Sequence, residues 1–244
     1  MVAHEPIKKW KQSISEFPHW FPNLFSGMPS YGGYIYTPGH PLKPILDLLL
    51  FNTGIKLWFY LSIGGLGLFF FLRFLKISIN SSIFGSVAYS LTPYVFGLIN
   101  AGHNNKIMAG AFIPWAVFAA LYMFKRRSIK SVLFLSIISA LQLWANHPQI
   151  VYYTWMVIGL WWLLDLIIDL IKKRKNINTS FIKLGFMIIS LILSLLMVSD
   201  PYYEVYKFQS ESNRGSPSVL DQTGDTKKGT KWDYATQWSF HPAE

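Results

Sequence analysis

The sequence predicts an all-α polytopic membrane protein, and its composition, the arrangement of its apolar residues and the placement of its charges all indicate that class. Of the 244 residues, 52% are hydrophobic and only 14% are charged. The apolar residues form long blocks, without the helical or alternating spacing of a soluble domain. Lysines and arginines collect between the blocks, as at 125–127 and 172–175, and short cytoplasmic loops favour such charge. This placement accounts for the net charge of +10, so nucleic acid is not expected as a partner.

The apolar blocks are long enough for about six transmembrane helices. The fourth block is short for a bilayer, and Pro93 and Pro114 interrupt the second and third. Basic loops follow every second block, at 73–76, 125–130 and 172–183, which places these loops together in the cytoplasm. The predicted spans are 55–72, 83–99, 107–124, 131–144, 150–171 and 181–199.

This orientation divides the chain into three parts and places both flanking parts outside the cytoplasm. Tryptophan and tyrosine are dense in the first part, as is typical of the membrane interface. The parts are an aromatic-rich extracytoplasmic loop at 1–54 with a short interfacial helix at 44–51, the six-helix transmembrane domain at 55–199, and an extracytoplasmic tail at 200–244.

The tail and the first residues each lead to a further expectation. Asp200-Pro201 ends the last span, and 202–209 is predicted as a short helix. The polar stretch 210–231 is predicted as a loop, which either closes over a site or links to a further domain.

The first residues do not form a signal peptide. We therefore expect a leading transmembrane helix before Met1 and more chain after Glu244, which makes this sequence a fragment.

Two turns carry more hydrogen-bonding groups than a turn requires. The first, 100–106, holds an imidazole, three amides and an ammonium group, and the second, 145–149, holds His147 and Gln149. Both turns lie on the extracytoplasmic face in the predicted topology. A helix N-terminus offers free N–H groups and a partial positive charge. Lys106, at the start of the third span, therefore predicts an anion site that suits a phosphate-bearing ligand.

Other interpretations of these turns stay open. Lys106 can extend its ammonium group to the interface while His103 and His147 only cap helix ends. A divalent metal bound by the two histidines and a carboxylate is a further alternative, but the spacing is not diagnostic, and no metal ligand or cofactor is assigned. The chain has no cysteine, which excludes a disulfide or thiolate site.

Two aspartates lie inside the fifth predicted span. Asp165 and Asp169 are one helical turn apart and close to Lys172 and Lys173. We expect them to pair with these lysines at the cytoplasmic interface, in preference to forming an intramembrane site.

No phosphate-binding loop, zinc-protease motif or serine nucleophile motif is present. Four segments, taken in order and with their predicted sidedness, resemble the bacterial YfhO membrane proteins, which look like members of the GT-C superfamily of integral-membrane glycosyltransferases. The resemblance covers nearly the whole chain, and no single motif decides it. The segments are Phe25-Ser26-Gly27-Met28-Pro29, Gly102-His103 with Lys106, His147-Pro148-Gln149, and Ser212-Asn213-Arg214-Gly215.

The resemblance implies an inverting glycosyltransferase of the bacterial cytoplasmic membrane. Such an enzyme transfers a sugar from a polyprenyl-phosphate carrier, held among membrane lipids, to an extracytoplasmic acceptor such as a cell-envelope polymer. An external carboxylate after the first helix acts as base, while basic groups hold the departing phosphate. That helix and its aspartate are absent from this sequence, which begins just beyond their expected place. The candidate residues are Glu5 and His103 for catalysis, and His4, Asn104, Lys106, His147, Gln149 and Arg214 for phosphate or substrate binding.

Two other functions stay open. A lipid transporter or flippase would place charged or unwound segments at mid-membrane and often shows an internal repeat. The sequence shows neither clearly. A non-catalytic assembly protein of the envelope would need no convergent polar site, so substitution of His103, Lys106 or His147 would leave its activity unchanged.

Overall fold

The computed structural model describes residues 20–21, 27–29, 42–171 and 177–209. The chain divides into two compact units, one formed by Met1–Gly39 with Ser199–Glu244 and the other by His40–Val198. In chain order the elements are β1 (Trp20–Phe21), β2 (Met28–Pro29), α1 (Lys43–Leu49), α2 (Thr53–Phe74), α3 (Ile79–Ser90), α4 (Pro93–Asn100), α5 (Asn104–Ala111), α6 (Ile113–Arg126), α7 (Ile129–Trp144), α8 (Pro148–Ile171), α9 (Ile177–Met197) and α10 (Ser199–Gln209).

The first unit contains a small antiparallel hairpin and helix α10 in its described part. In the hairpin, β1 pairs with β2 so that Trp20 lies opposite Pro29. Gly27 precedes β2 with φ +111°, a conformation that side-chain-bearing residues rarely adopt. The predicted helix at 202–209 is confirmed as α10, which begins earlier, at Ser199. Pro201 fits there because the first turn of a helix needs no N–H donor at that position.

The second unit is an all-helical bundle with the composition of a multi-pass membrane protein. Within the described residues, five segments are long and apolar enough to cross a membrane. The segment predicted as the fourth span forms α7, which has 16 residues and is shorter than the other five. A helix is also present as α1 at the place predicted for the interfacial helix. The five long segments are Thr53–Phe74, Ile79–Asn100, Asn104–Arg126, Pro148–Ile171 and Ile177–Met197.

Both predicted proline interruptions are present. Helix α3 ends at Ser90 and α4 begins at Pro93. Helix α5 gives way to α6 at Phe112, and Pro114 lies in the first turn of α6. In each case proline begins a new helix instead of continuing the previous one, because it has no N–H to donate and its ring obstructs the preceding turn. The second and third spans are therefore each built from two shorter helices.

The break at Pro114 leaves backbone groups that neighbouring helices satisfy. Because Pro114 has no N–H, the carbonyl oxygen of Gly110 loses the donor that an unbroken helix would provide. The hydroxyl of Tyr89 donates to that oxygen at 2.8 Å. The amide of Gln142 donates to the carbonyl oxygen of Ala109 at 3.1 Å. A break inside a membrane requires such partners, since lipid offers none.

Helix α2 contacts its neighbours through a face of buried glycines. Small residues let helices approach closely, so polar side chains of the neighbours reach the α2 backbone. Ser90 Oγ donates to the carbonyl oxygen of Leu61, and Trp115 Nε1 donates to that of Ile63, both at 2.9 Å. The α3–α4 and α5–α6 spans are thereby anchored to α2. The glycines are Gly64, Gly65 and Gly67.

The main apolar core lies among α6, α7, α8 and α9, with Met123, Leu135 and Ile158 fully buried. Beside this core, Asp165 pairs with Lys183 of α9, Oδ2 to Nζ 3.0 Å. The expected partners Lys172 and Lys173 lie outside the described residues. Asp165 thus has a cross-helix partner that the sequence did not suggest, because α9 packs against α8 and brings Lys183 to Asp165. Pairing with Lys172 or Lys173 stays a prediction.

Candidate functional site

The first polar turn places His103 at the end of a three-residue turn, 101–103, that joins α4 to α5. Gly102 follows α4 with φ +72°. The N–H of Gly102 bonds the carbonyl of Ile99 at 3.1 Å, and the N–H of His103 bonds that of Leu98 at 2.9 Å. These bonds and the left-handed glycine form a Schellman motif, which ends a helix abruptly. His103 is also the N-cap residue of α5, although its side chain makes no capping hydrogen bond.

Lys106 lies in the first turn of α5 and is half-buried, while His103 is exposed. Asn104 is the first residue of the same helix. No acidic side chain among the described residues forms an ion pair with Lys106. The N–H groups of Asn104 and Lys106 donate to the carbonyl oxygens of Gly102 and His103. The lysine therefore adds its charge to the positive end of the α5 dipole. This combination favours an anion at the entrance of the helix.

The second polar turn is built in a similar way. Asn146 follows α7 with φ +53°, and Pro148 begins α8. The carbonyl oxygen of His147 accepts from the N–H groups of Ile150 and Val151 at 3.1 and 3.4 Å. His147 is thus the residue from which α8 starts. Gln149, in the first turn, donates from Nε2 to Tyr153 Oη at 2.8 Å.

The electrostatic coupling of the two turns shows that they lie at the same end of the bundle. Burial lowers the pKa of His147, and the positive charges of Lys106 and His103 lower it further. In salt solution such coupling is largely screened beyond about 10 Å. Nδ1 of His147 is buried and makes no hydrogen bond within the described part of the chain. His103 and Lys106 therefore lie near enough to His147 to act on its pKa, and the roles assigned to the three residues stay predictions.

An apolar cavity extends into the bundle from this end. Its volume is about 380 Å³, within the range of roughly 300–1,000 Å³ that ligand pockets occupy. Helices α2, α3, α4, α5, α6 and α8 line it. Lys106 and Tyr153, from the helices that begin at the two polar turns, line it, and Leu98, Val117 and Val157 are among its apolar lining residues.

The cavity also reaches the outer surface of the bundle. Tyr94 of α4 and Val157 of α8 both line it, and they are 65% and 49% exposed. On the opposite wall, Tyr60 and Ile107 are 5% and 4% exposed. Helix α4 packs on α5, and α8 packs on α5, α6, α7 and α9, without α4 and α8 packing along each other. The α4 and α8 side of the cavity therefore carries residues that are exposed at the surface of the bundle.

The structure brings together only part of the predicted site. His103, Asn104, Lys106, His147 and Gln149 all lie at the two converging turns. The remaining candidates, Glu5, His4 and Arg214, lie outside the described residues. Within the described part, no group of three His, Cys, Asp or Glu side chains is placed to bind a metal ion.

Sequence reasoning missed a buried polar pair behind the cavity wall. Gln142 Nε2 donates to Thr154 Oγ1 at 2.9 Å, and Thr154 lines the cavity. Gln142 is fully buried. The available signal was an amide and a hydroxyl, Gln142 and Thr154, inside two apolar blocks, and such groups in a membrane predict partners on neighbouring helices.

No protein-family model, curated protein or solved structure matches this chain.

Proposed function

We propose that this chain is the membrane part of an inverting glycosyltransferase of the bacterial cytoplasmic membrane. It moves a sugar from a polyprenyl-phosphate donor to an extracytoplasmic cell-envelope acceptor. The cavity beside Lys106 takes the first part of the polyprenyl chain, and the two polar turns hold the phosphate. The resemblance in sequence supplies the reaction class, and the shape and charge of the cavity support the choice of donor.

The observation that carries the proposal is the position of Lys106. A cation without an acidic partner in the described structure lines a cavity that is otherwise mostly apolar. An amphiphile with an anionic head and a hydrocarbon chain suits such a lining. The exposed residues on the α4 and α8 side of the cavity suit a donor that diffuses in the bilayer. A water-soluble sugar nucleotide would leave the apolar part of the cavity unused.

The reaction assigns roles to Lys106, to the N-terminus of α5 and to His103. The acceptor oxygen forms a bond to the anomeric carbon while the bond from that carbon to the phosphate oxygen breaks. The phosphate leaves with the electron pair, and the acceptor proton goes to a base. Lys106 and the N-terminus of α5 stabilise the charge that develops on the phosphate. His103, exposed beside them, is placed to exchange a proton with the departing group.

A lipid transporter is the second candidate, and the broken helices favour it. The α3–α4 break and the α5–α6 break fall within membrane-length segments, and residues beside both breaks line the cavity. Transporters often place their substrate at such discontinuous helices. A transporter would move the intact lipid across the bilayer, whereas a transferase would cleave its sugar from the phosphate.

The test is sugar transfer to the envelope acceptor in cells that express the full-length protein with Lys106→Ala. We expect transfer to fall by roughly a hundredfold or more, the usual cost of losing one group that stabilises a developing charge. Lys106→Arg should retain part of the activity because it keeps the charge. Lys130→Ala is the matched control, since Lys130 lies at the far end of α7 from His147. Unchanged transfer in a correctly inserted Lys106→Ala variant would overturn the proposal.

Purified protein in proteoliposomes separates the two candidates. With a lipid-linked sugar donor and the acceptor on one side, the transferase releases polyprenyl phosphate in proportion to the sugar transferred. Movement of intact donor between leaflets, without sugar release, would establish the transporter instead.

A further inference from the structure

A ladder of aromatic rings runs along the outside of helix α6. Trp115, Phe118 and Tyr122 lie one helical turn apart on one face of this helix. Trp115 and Phe118 have ring centroids 6.3 Å apart, and Phe118 and Tyr122 6.2 Å. All three rings are only half-buried. The face is therefore accessible from outside the bundle.

Rings from two neighbouring helices border this ladder on both sides. Helices α2 and α7 each pack against α6. From α2, Phe70 lies 5.6 Å from the Trp115 ring and Phe74 lies 5.3 Å from the Phe118 ring. From α7, Phe134 lies 5.9 Å from Phe118. We call the surface formed by these rings the aromatic groove; its members are Phe70, Phe74, Trp115, Phe118, Tyr122 and Phe134.

Two cations lie over the rings at one end of the aromatic groove. Lys125 Nζ is 4.4 Å from the centroid of Phe74, and the guanidinium carbon of Arg126 is 6.0 Å from that of Tyr122. Both cations are exposed, and neither forms an ion pair with an acidic side chain of the described residues. The rings hold the cations in place through cation–π contacts while the cations keep their capacity to bind an anion.

The length of the aromatic groove matches one leaflet of a bilayer. From Trp115 to Arg126 helix α6 rises by roughly 16 Å. The hydrocarbon core of a bilayer is about 30 Å thick, so one leaflet is about half of that. With the cations at the bilayer surface, the rings extend through the acyl region of a single leaflet.

We propose that the aromatic groove is a binding site for an anionic phospholipid of the surrounding bilayer. An acyl chain lies along the rings, and the phosphate contacts Lys125 and Arg126. The charge of the two cations selects an anionic over a zwitterionic headgroup. The site shares no residue with the cavity beside Lys106, and it does not depend on the proposed function.

The test compares two double variants that remove the same charge. Lys125→Gln with Arg126→Gln removes the cations over the rings. Lys56→Gln with Lys207→Gln removes two cations in the first turn of α2 and in α10, neither of which lies over a ring of the aromatic groove among the described residues. Phosphatidylglycerol and phosphatidylcholine retained by the detergent-purified protein are counted by native mass spectrometry. We expect the first variant to bind phosphatidylglycerol about tenfold more weakly, and the second to change binding less than about threefold.

A second pair of variants tests the acyl part of the site. Phe70→Ala shortens the aromatic groove, while Phe181→Ala removes a ring of comparable exposure on α9, 56% against 46%. Phe70→Ala should weaken binding of long-chain phosphatidylglycerol and leave that of a short-chain form unchanged, and Phe181→Ala should affect neither. The proposal is overturned if both charge variants lose binding equally, if phosphatidylcholine binds as well, or if glycerol phosphate alone competes fully.

Discussion

The indole ring of Trp115 lies so close to Gly67 that a Cβ added to the glycine would be 2.5 Å from Cδ1. The ring cannot move away freely, because Nε1 donates to the carbonyl oxygen of Ile63. We predict that Gly67→Ala destabilises the bundle by about 1–3 kcal/mol, as overpacking usually does. Gly185→Ala is the control, since no atom lies within 4 Å of the added carbon.

Unfolding of both variants in detergent, followed by circular dichroism, measures this difference. Gly185→Ala should leave stability unchanged or raise it by up to about 1 kcal/mol, the helix propensity gained by replacing glycine. If Gly67→Ala unfolds at the same denaturant concentration as the wild-type protein, the close approach of Trp115 to α2 is wrong.

The bonds around Pro114 give a second prediction. Tyr89→Phe removes the donor that compensates Gly110, so the carbonyl oxygen is left unpaired inside the bundle. We expect a loss of about 0.5–1.5 kcal/mol, since hydrogen bonds between membrane helices are modest. Tyr94→Phe, on the exposed face of α4, should cost less than about 0.5 kcal/mol.

A double variant tests the physical reason for that loss. Pro114→Ala restores an N–H that can serve Gly110, so Tyr89→Phe should cost less in that background. The four unfolding free energies form a double-mutant cycle. An interaction energy near zero would contradict the idea that Tyr89 takes the place of the missing proline donor.

The helices and their interruptions could be predicted from the sequence, because long apolar blocks and prolines act locally. Pro93 and Pro114 both begin new helices, as expected. The partners across helices could not be predicted. Asp165 pairs with Lys183 because of how α8 and α9 pack, and the sequence shows no strong apolar face that would reveal that rotation.

His147 gives a prediction about pH. Its pKa is lowered from the ordinary value of 6.5, first by burial and then by the charge of Lys106. Between the folded pKa and 6.5 the unfolded chain binds more protons, so the unfolding free energy decreases as pH falls through this window. His147→Asn should remove this part of the pH dependence. His103→Asn, which changes the exposed histidine of the other polar turn, should keep this part of the pH dependence.

Removal of the Lys106 charge tests directly whether that charge lowers the pKa of His147. In Lys106→Gln the pKa of His147 should rise, because one of the two main causes of its lowering is gone. Titration of labelled histidine by nuclear magnetic resonance reports this value. An unchanged pKa would mean that the two polar turns are further apart than the structure places them.

The two polar turns of the candidate site could be predicted, and the cavity could not. Imidazole, amide and ammonium groups in short turns stand out against apolar blocks, and the alternation of basic loops places both turns on one side. The cavity depends on gaps between six helices, to which residues such as Tyr60 and Val117 contribute no distinctive pattern. Glu5 and Arg214 stay predictions from the sequence alone.

The most direct measurement is the binding of short-chain polyprenyl phosphate to the purified protein, compared with that of the uncharged polyprenol of equal length. We expect the phosphate to bind at least tenfold more tightly, and Lys106→Gln to remove that preference while binding of the polyprenol stays unchanged. Equal binding of the two lipids, or a preference that survives Lys106→Gln, would contradict the assignment of a lipid-phosphate site to this cavity.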